Sequence, residues 1–187
     1  MSNKLNLHDF VFITIMSTAI AVAWWGYSFF YNIISPILKP FGLNGLIEGV
    51  WLLSGIFFGI IIRKPGSALL GSIIAAGIEG FISQWGLSAL ISGFCQGLPV
   101  ELIFFAFNYK KWNKTICAIA GASSALCGYI VTFFWYNYSS FGIQYNLLNL
   151  GCGMVSGAIL GGLLARYIAL NLASTGVLNQ FAIARGA

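Results

Sequence analysis

Charged side chains are scarce in this chain. Its 187 residues include four acidic and nine basic ones, and charged residues make up 7% of the sequence against 59% hydrophobic. Soluble globular domains carry about 25% charged residues, so this composition excludes an ordinary soluble domain. A helix that crosses a bilayer needs about 20 apolar residues. The chain has enough apolar sequence for six such helices and too little left over for a soluble domain.

Groups that commonly carry chemistry are also scarce. The single histidine, His8, precedes the first apolar run, and the four cysteines lie inside apolar runs without the spacing of a zinc site. No phosphate-binding Gly-x-x-x-x-Gly-Lys-Ser/Thr segment is present. The sequence therefore predicts a protein that is not an enzyme, with no catalytic residues, no metal and no cofactor.

Uncharged runs predict an all-α integral membrane protein with six transmembrane helices. We expect one membrane domain over residues 1–187, with a cytoplasmic tail at 171–187. The run from Thr115 to Ala165 is too long for one crossing, so the polar residues 137–144 are predicted to form a hairpin. The predicted spans are about 7–30, 42–62, 66–84, 87–109, 115–136 and 145–170.

The basic residues predict the orientation of these spans. Only Lys39 falls on the opposite side from the others, which border the predicted spans at one face. The positive-inside rule then places both termini in the cytoplasm. Because these basic residues border apolar spans, we expect them to lie beside a lipid bilayer and not to bind nucleic acid. The first apolar run resembles a signal peptide at Ala19-Ile20-Ala21, but it continues to Phe30 and has Asp9 in its flank, so we expect it to span the membrane.

Three of the four acids, Glu48, Glu79 and Glu101, fall inside predicted spans. An acid at the centre of a spanning helix costs about 2.5–3.5 kcal/mol, and no Lys or Arg lies at a matching depth. Their carboxyl groups are therefore expected to be protonated, to face a wet cavity or to meet a cation that the chain does not supply. The structural alternative is a protonated glutamate that merely hydrogen-bonds a neighbouring helix.

Aromatic residues lie at the same outer level as two of these acids, and aromatic faces attract cations. Carboxylates combined with Trp and Tyr suit a small, flat, positively charged molecule. Some of these aromatics are expected to form only an interfacial belt, and Asn149 fits a helix–helix hydrogen bond as well as a ligand contact. The candidate binding residues are Glu48, Trp51, Glu79, Trp85, Gln96, Glu101, Trp135, Tyr136 and Asn149.

Small residues recur at four-residue spacing along several predicted spans. Such stripes let helix backbones approach closely in lipid. On the first span the stripe consists of Ala19 and Ala23. It fits either an internal seam between helices or a docking face for another membrane subunit.

Several segments together resemble the YkoE-type substrate-binding (S) components of energy-coupling factor (ECF) vitamin transporters. The resemblance covers nearly the whole chain. The Arg-Lys-Pro-Gly turn and the Thr-Gly-Val-Leu-Asn tail are its most specific parts. The matching segments are residues 48–51, 62–70, 75–79, 96–101, 175–179 and 181–183.

The resemblance implies a six-helix membrane protein that captures thiamin or its hydroxymethylpyrimidine precursor from outside the cell. It also implies a transmembrane coupling (T) subunit and cytoplasmic ATPase subunits as partners. By resemblance, Glu79, Gln96 and Glu101 are the strongest pocket candidates, and Ala19 and Ala23 are expected to dock the partner. Two alternatives stay open: a proton-coupled carrier that acts alone with Glu101 as proton acceptor, and a membrane assembly factor without a ligand.

Overall fold

A computed structural model describes residues 4–185, and all regular structure in that range is helical. This confirms the all-α prediction for the described residues. Residues 1–3 and 186–187 of the predicted domain and tail lie outside them. Short 3₁₀ turns cover Lys39–Phe41, Asn44–Ile47, Gly49–Leu52, Tyr138–Ser140 and Ala182–Arg185, and a π-helical segment covers Gly157–Leu163. The α-helices are α1 (Leu7–Leu38), α2 (Leu53–Ile62), α3 (Ser67–Ile82), α4 (Ser88–Ala106), α5 (Lys114–Trp135), α6 (Ile143–Ser156) and α7 (Leu164–Ser174).

Within residues 4–185, four helical rods are long and apolar enough to cross a membrane: Leu7–Phe41, α4, α5 and Ile143–Ser174. The last of these joins α6, the π-helical segment and α7. Two shorter apolar helices, Gly49–Ile62 and Ser67–Ile82, lie where the second and third spans are predicted. The count of six crossings and the orientation of the termini stay predictions.

Helix α2 forms the centre of the bundle. Every residue from Leu53 to Ile62 is buried, which explains why this helix is apolar around its whole circumference. Helices α3, α4 and α7 and the π-helical segment pack around it. Helix α1 packs mainly on α3 and leaves its other side exposed.

Polar side chains fix the predicted cytoplasmic ends of the helices. Asn6 and Asp9 form a reciprocal capping box at the start of α1, with distances of 2.9 and 2.8 Å between side-chain oxygen and backbone nitrogen. The Asp9 carboxylate also pairs with Lys64 Nζ at 2.5 Å. This ion pair ties α1 to the turn between α2 and α3, which is one of the segments that carry the family resemblance.

The predicted second span is α-helical only from Leu53 onward, because the chain before it is wound into tight 3₁₀ turns. Glycines in these turns allow the backbone to touch α6. A Cβ at Gly45 would overlap the backbone of Asn149, and one at Gly49 would overlap that of Ser156. Ser156 Oγ in turn donates to Leu46 O at 2.7 Å and accepts from Gly49 N–H at 3.0 Å. The acid-bearing segment is therefore held in place as an irregular stretch.

Candidate ligand-binding site

One cavity of ≈ 260 Å³ lies beneath the predicted outer ends of the helices. It is bounded by α1, the 3₁₀ turns before α2, and helices α3 to α6. Its volume is close to the lower end of the range of about 300–1,000 Å³ that is usual for small-molecule sites. The structure brings six of the predicted binding residues together in its lining: Glu48, Trp51, Glu79, Trp85, Gln96 and Tyr136.

Glu79 is a buried acid near the end of α3, and its position depends on close helix packing. Its Oε1 accepts a hydrogen bond from Trp51 Nε1 at 2.8 Å. A Cβ at Gly93 of α4 would crowd Ala76 and Ser72 of α3, and one at Gly80 of α3 would overlap the carbonyl of Gly86 in the link before α4. Small residues thus let α3 and α4 approach each other, and Glu79 lines the cavity beside this seam.

Glu48 is the second carboxylate of the cavity, and a buried asparagine orients it. Asn44 Nδ2 donates to Glu48 Oε1 at 2.6 Å and to the Tyr31 hydroxyl at 2.8 Å. Lys39 also lines the cavity, but it is not within ion-pair distance of Glu48. Two acids and one lysine therefore face the same space.

Aromatic rings form one wall of the cavity. Tyr31, Trp51 and Trp85 contact each other edge to face, with ring centroids 5.0 to 5.9 Å apart. Trp85 lies in the link between α3 and α4, which Gln84 holds to α1 through two hydrogen bonds with Asn32 of 3.0 and 2.9 Å. The buried Trp85 Nε1 has no hydrogen-bond partner within the described chain. This N–H group is available to an acceptor in a ligand.

Helices α4, α5 and α6 form the other wall of the cavity. Gln96 lines it from α4, and Ser124 Oγ of α5 donates to the Gln96 carbonyl at 2.7 Å. Because residue 128 is a glycine, the Gln96 side chain can lie against α5, where a Cβ would come within 3.0 Å of it. Thr132 and Gly153 complete this side of the cavity.

Glu101 does not line the cavity and instead holds the start of α3. Its carboxylate accepts backbone N–H bonds from Gly66, Ala68 and Leu69 at 2.6, 3.0 and 3.1 Å. The Tyr109 hydroxyl donates to the same carboxylate. The free N–H groups and the dipole of a helix N-terminus favour a negative charge. These donors compensate the buried acid from within the chain, without the wet cavity or the cation that were two of the possibilities left open by the sequence.

The remaining predicted residues lie elsewhere. Trp135 is exposed at the end of α5. Asn149 is fully buried on α6 outside the cavity lining, and neither polar atom of its side chain has a partner within the described chain. Ala19 and Ala23 are both exposed on the outer face of α1.

Several lining residues were missed in the sequence analysis. Tyr31, Tyr129 and Tyr138 line the cavity, and hydropathy does not distinguish them from tyrosines of an interfacial belt. Lys39 was read only as a marker of orientation. The signal that could have drawn attention to it is its position as the one basic residue on the predicted outer side.

The site is suited to binding an organic cation. It combines two carboxylates with a wall of electron-rich aromatic faces, which attract positive charge. Among residues 4–185 there is no cluster of three or more His, Cys, Asp or Glu side chains of the kind that holds a metal ion. The carboxylates and aromatic rings can recognise a ligand by its positive charge and by the shape of its rings.

Comparison with known proteins identifies the family. The family described as "ABC-type cobalt transport system, permease component" matches residues 8–127. YkoE of Bacillus subtilis (strain 168), whose name proposes an HMP/thiamine permease function, is 31% identical over 178 residues, which cover 95% of this chain and 89% of YkoE.

A solved structure agrees with this assignment. The crystal structure of an S component of an ECF transporter matches with a TM-score of 0.91 and 30% sequence identity, and the match covers 97% of this chain and 92% of that one. The relatives are transporter components and not enzymes. The chain therefore belongs to the family of YkoE-type S components of ECF transporters.

Proposed function

We propose that this chain captures thiamin or its hydroxymethylpyrimidine precursor at the outer face of the plasma membrane. It acts without enzymatic activity and delivers the vitamin to an ATP-driven importer. If the chain crosses the membrane six times with both termini in the cytoplasm, the cavity opens toward the outer face of the membrane. The observation that carries the proposal is the presence of Glu48, Glu79 and a wall of Trp and Tyr rings around one cavity.

The ligand fits these groups chemically. Thiamin has a permanently charged thiazolium ring and an aminopyrimidine whose edge can pair with a carboxylate. Trp51 and Trp85 offer faces for flat rings, and Glu79 offers a negative charge beside them. The name of the B. subtilis relative points to the same two compounds.

The proton-coupled carrier has less support. It requires Glu101 to exchange protons along a transport path. The Glu101 carboxylate lies outside the cavity lining and is occupied by three backbone N–H groups and the Tyr109 hydroxyl. These bonds give Glu101 the position of a helix cap at the start of α3.

Direct titration of the purified protein tests the proposed ligand. We expect isothermal titration calorimetry in detergent to show saturable binding of thiamin or hydroxymethylpyrimidine. Riboflavin, a neutral vitamin, serves as the control and should give no binding heat, because it has no positive charge to pair with the carboxylates of Glu48 and Glu79. Absence of binding for both thiamin and its precursor would refute the proposal and favour the assembly factor.

The exposed small residues of α1 are proposed to dock the T subunit, which works with two ATPase subunits. Ala19 and Ala23 are one turn apart, and Gly26 extends the stripe with open space beside it. Close backbone approach is the usual basis of helix association in lipid.

Enlarging both alanines tests this docking face. The double substitution Ala19→Leu with Ala23→Leu should abolish co-purification with co-expressed T and ATPase subunits while thiamin affinity stays unchanged. Phe10→Leu, at another exposed position of α1, is the matched control and should leave assembly intact. Undiminished co-purification of the double variant would place the docking face elsewhere.

A further inference from the structure

Gly153 is a buried glycine with free space where a side chain would be. It lies in α6 and lines the cavity. A Cβ at this position would meet nothing nearer than Gly45 Cα at 3.9 Å, which is an ordinary van der Waals distance. The absence of a side chain at residue 153 is therefore not required by the packing of neighbouring elements.

Other buried glycines of the bundle have an evident packing role. At Gly121 and Gly157 an added Cβ would overlap the backbone of the facing helix, and at Gly45 it would overlap that of α6. Glycines with open space around them also occur, at Gly26, Gly86, Gly142 and Gly151, but these four are exposed. Gly153 combines burial with open space, and that space belongs to the cavity.

Glycine within a helix is less stable than alanine because it loses more conformational freedom on folding. At Gly121 this loss is offset by close helix contact. The backbone of Gly153 also packs against Gly45, but a Cβ added at residue 153 would clear it, so this contact does not require a glycine here. Occupation of the adjoining space by a bound ligand would account for the missing side chain.

The residues around Gly153 support the same interpretation. Ala125, Gly128 and Thr132 of α5 line the cavity together with Gly153, and the larger side chains from the same two helices are Tyr129 and Leu150. The carboxylate of Glu79 and the rings of Trp51 and Trp85 come from other elements, and a single flat ring can be held among them. The space beside Gly153 belongs to the same cavity.

We propose that Gly153 determines the size of the ligand. This inference rests on the proposed function. One part of the ligand binds among Glu79 and the aromatic rings, and a second part of ring size fills the space against Gly153. The cavity is thereby suited to a two-ring organic cation, such as thiamin, in preference to a single-ring pyrimidine.

The test is to fill the space with a side chain and compare two ligands. Gly153→Leu should weaken thiamin binding at least tenfold, about 1.4 kcal/mol, and leave the affinity for hydroxymethylpyrimidine unchanged, as measured by calorimetry. Gly153→Ala should raise the melting temperature and have a smaller effect on thiamin. The matched control is Gly151→Leu on the same helix, where the position is exposed and open, and it should alter neither affinity.

The possible outcomes separate this inference from the proposed function. If the unmodified protein binds thiamin and Gly153→Leu binds it equally well, Gly153 does not set ligand size and the proposed function stands. If Gly153→Leu loses both ligands to the same degree, selectivity by size is overturned. If the unmodified protein binds neither compound, the proposed function fails and the inference fails with it.

Discussion

Replacing Glu79 with glutamine should weaken thiamin binding at least tenfold, about 1.4 kcal/mol. The substitution removes the negative charge beside the aromatic wall but keeps an oxygen that can accept the 2.8 Å hydrogen bond from Trp51 Nε1. The fold of the site is therefore expected to persist while its attraction for a cation is lost. Calorimetric titration of the purified variant measures the change.

Two comparisons make this result specific. The affinity for hydroxymethylpyrimidine, whose aminopyrimidine ring lies beside Glu79 in the proposed arrangement, should fall as well. Trp135→Phe changes an exposed residue outside the cavity and should leave both affinities as they are. An unaltered dissociation constant for thiamin in the Glu79 variant would remove this carboxylate from the recognition of the ligand.

Glu101→Gln should lower the stability of the protein strongly without changing ligand affinity. The carboxylate accepts bonds from three backbone N–H groups at the start of α3 and from Tyr109. An amide has one acceptor oxygen, and its NH₂ group would face donors. Hydrogen bonds to charged groups contribute about 1.5–3 kcal/mol each, so loss of two would cost roughly 3–6 kcal/mol.

The melting temperature in detergent and the thiamin affinity of the folded fraction separate a stabilising role from a binding role. Tyr109→Phe removes one of the donors and should cost less, on the order of 1–2 kcal/mol. If Glu101→Gln kept its melting temperature but lost thiamin binding, the capping role would be refuted and Glu101 would return to the list of ligand contacts.

Hydropathy was sufficient to predict helices, because the long apolar runs have few alternatives in a membrane. It did not predict where the α-helix of the second apolar segment begins. That boundary depends on the contact of Gly45 and Gly49 with α6, which lies about one hundred residues later in the chain. Contacts over such a sequence distance leave no periodic signal in either segment.

The acids show the same limit within the site. Glu79 and Glu101 have similar apolar surroundings in the sequence, and the same possibilities were open for each: protonation, a wet cavity or a cation. The structure gives Glu101 the N–H groups of a helix start and gives Glu79 one indole N–H and an open cavity. Distinguishing them required the positions of neighbouring helices, which composition and spacing do not contain.

The 3₁₀ turns ahead of α2 also have a mechanical consequence. Trp24 Nε1 of α1 donates to Val50 O at 3.0 Å, and the Tyr27 hydroxyl donates to Ile47 O at 2.9 Å. These bonds straddle Glu48. Separating α1 from the turns would leave carbonyl groups bare in an apolar setting, at about 1–3 kcal/mol each. Helix α1 is thus bonded directly to the Glu48 segment, which also packs on α6, so a tilt that a partner imposes on α1 would act directly on a wall of the cavity.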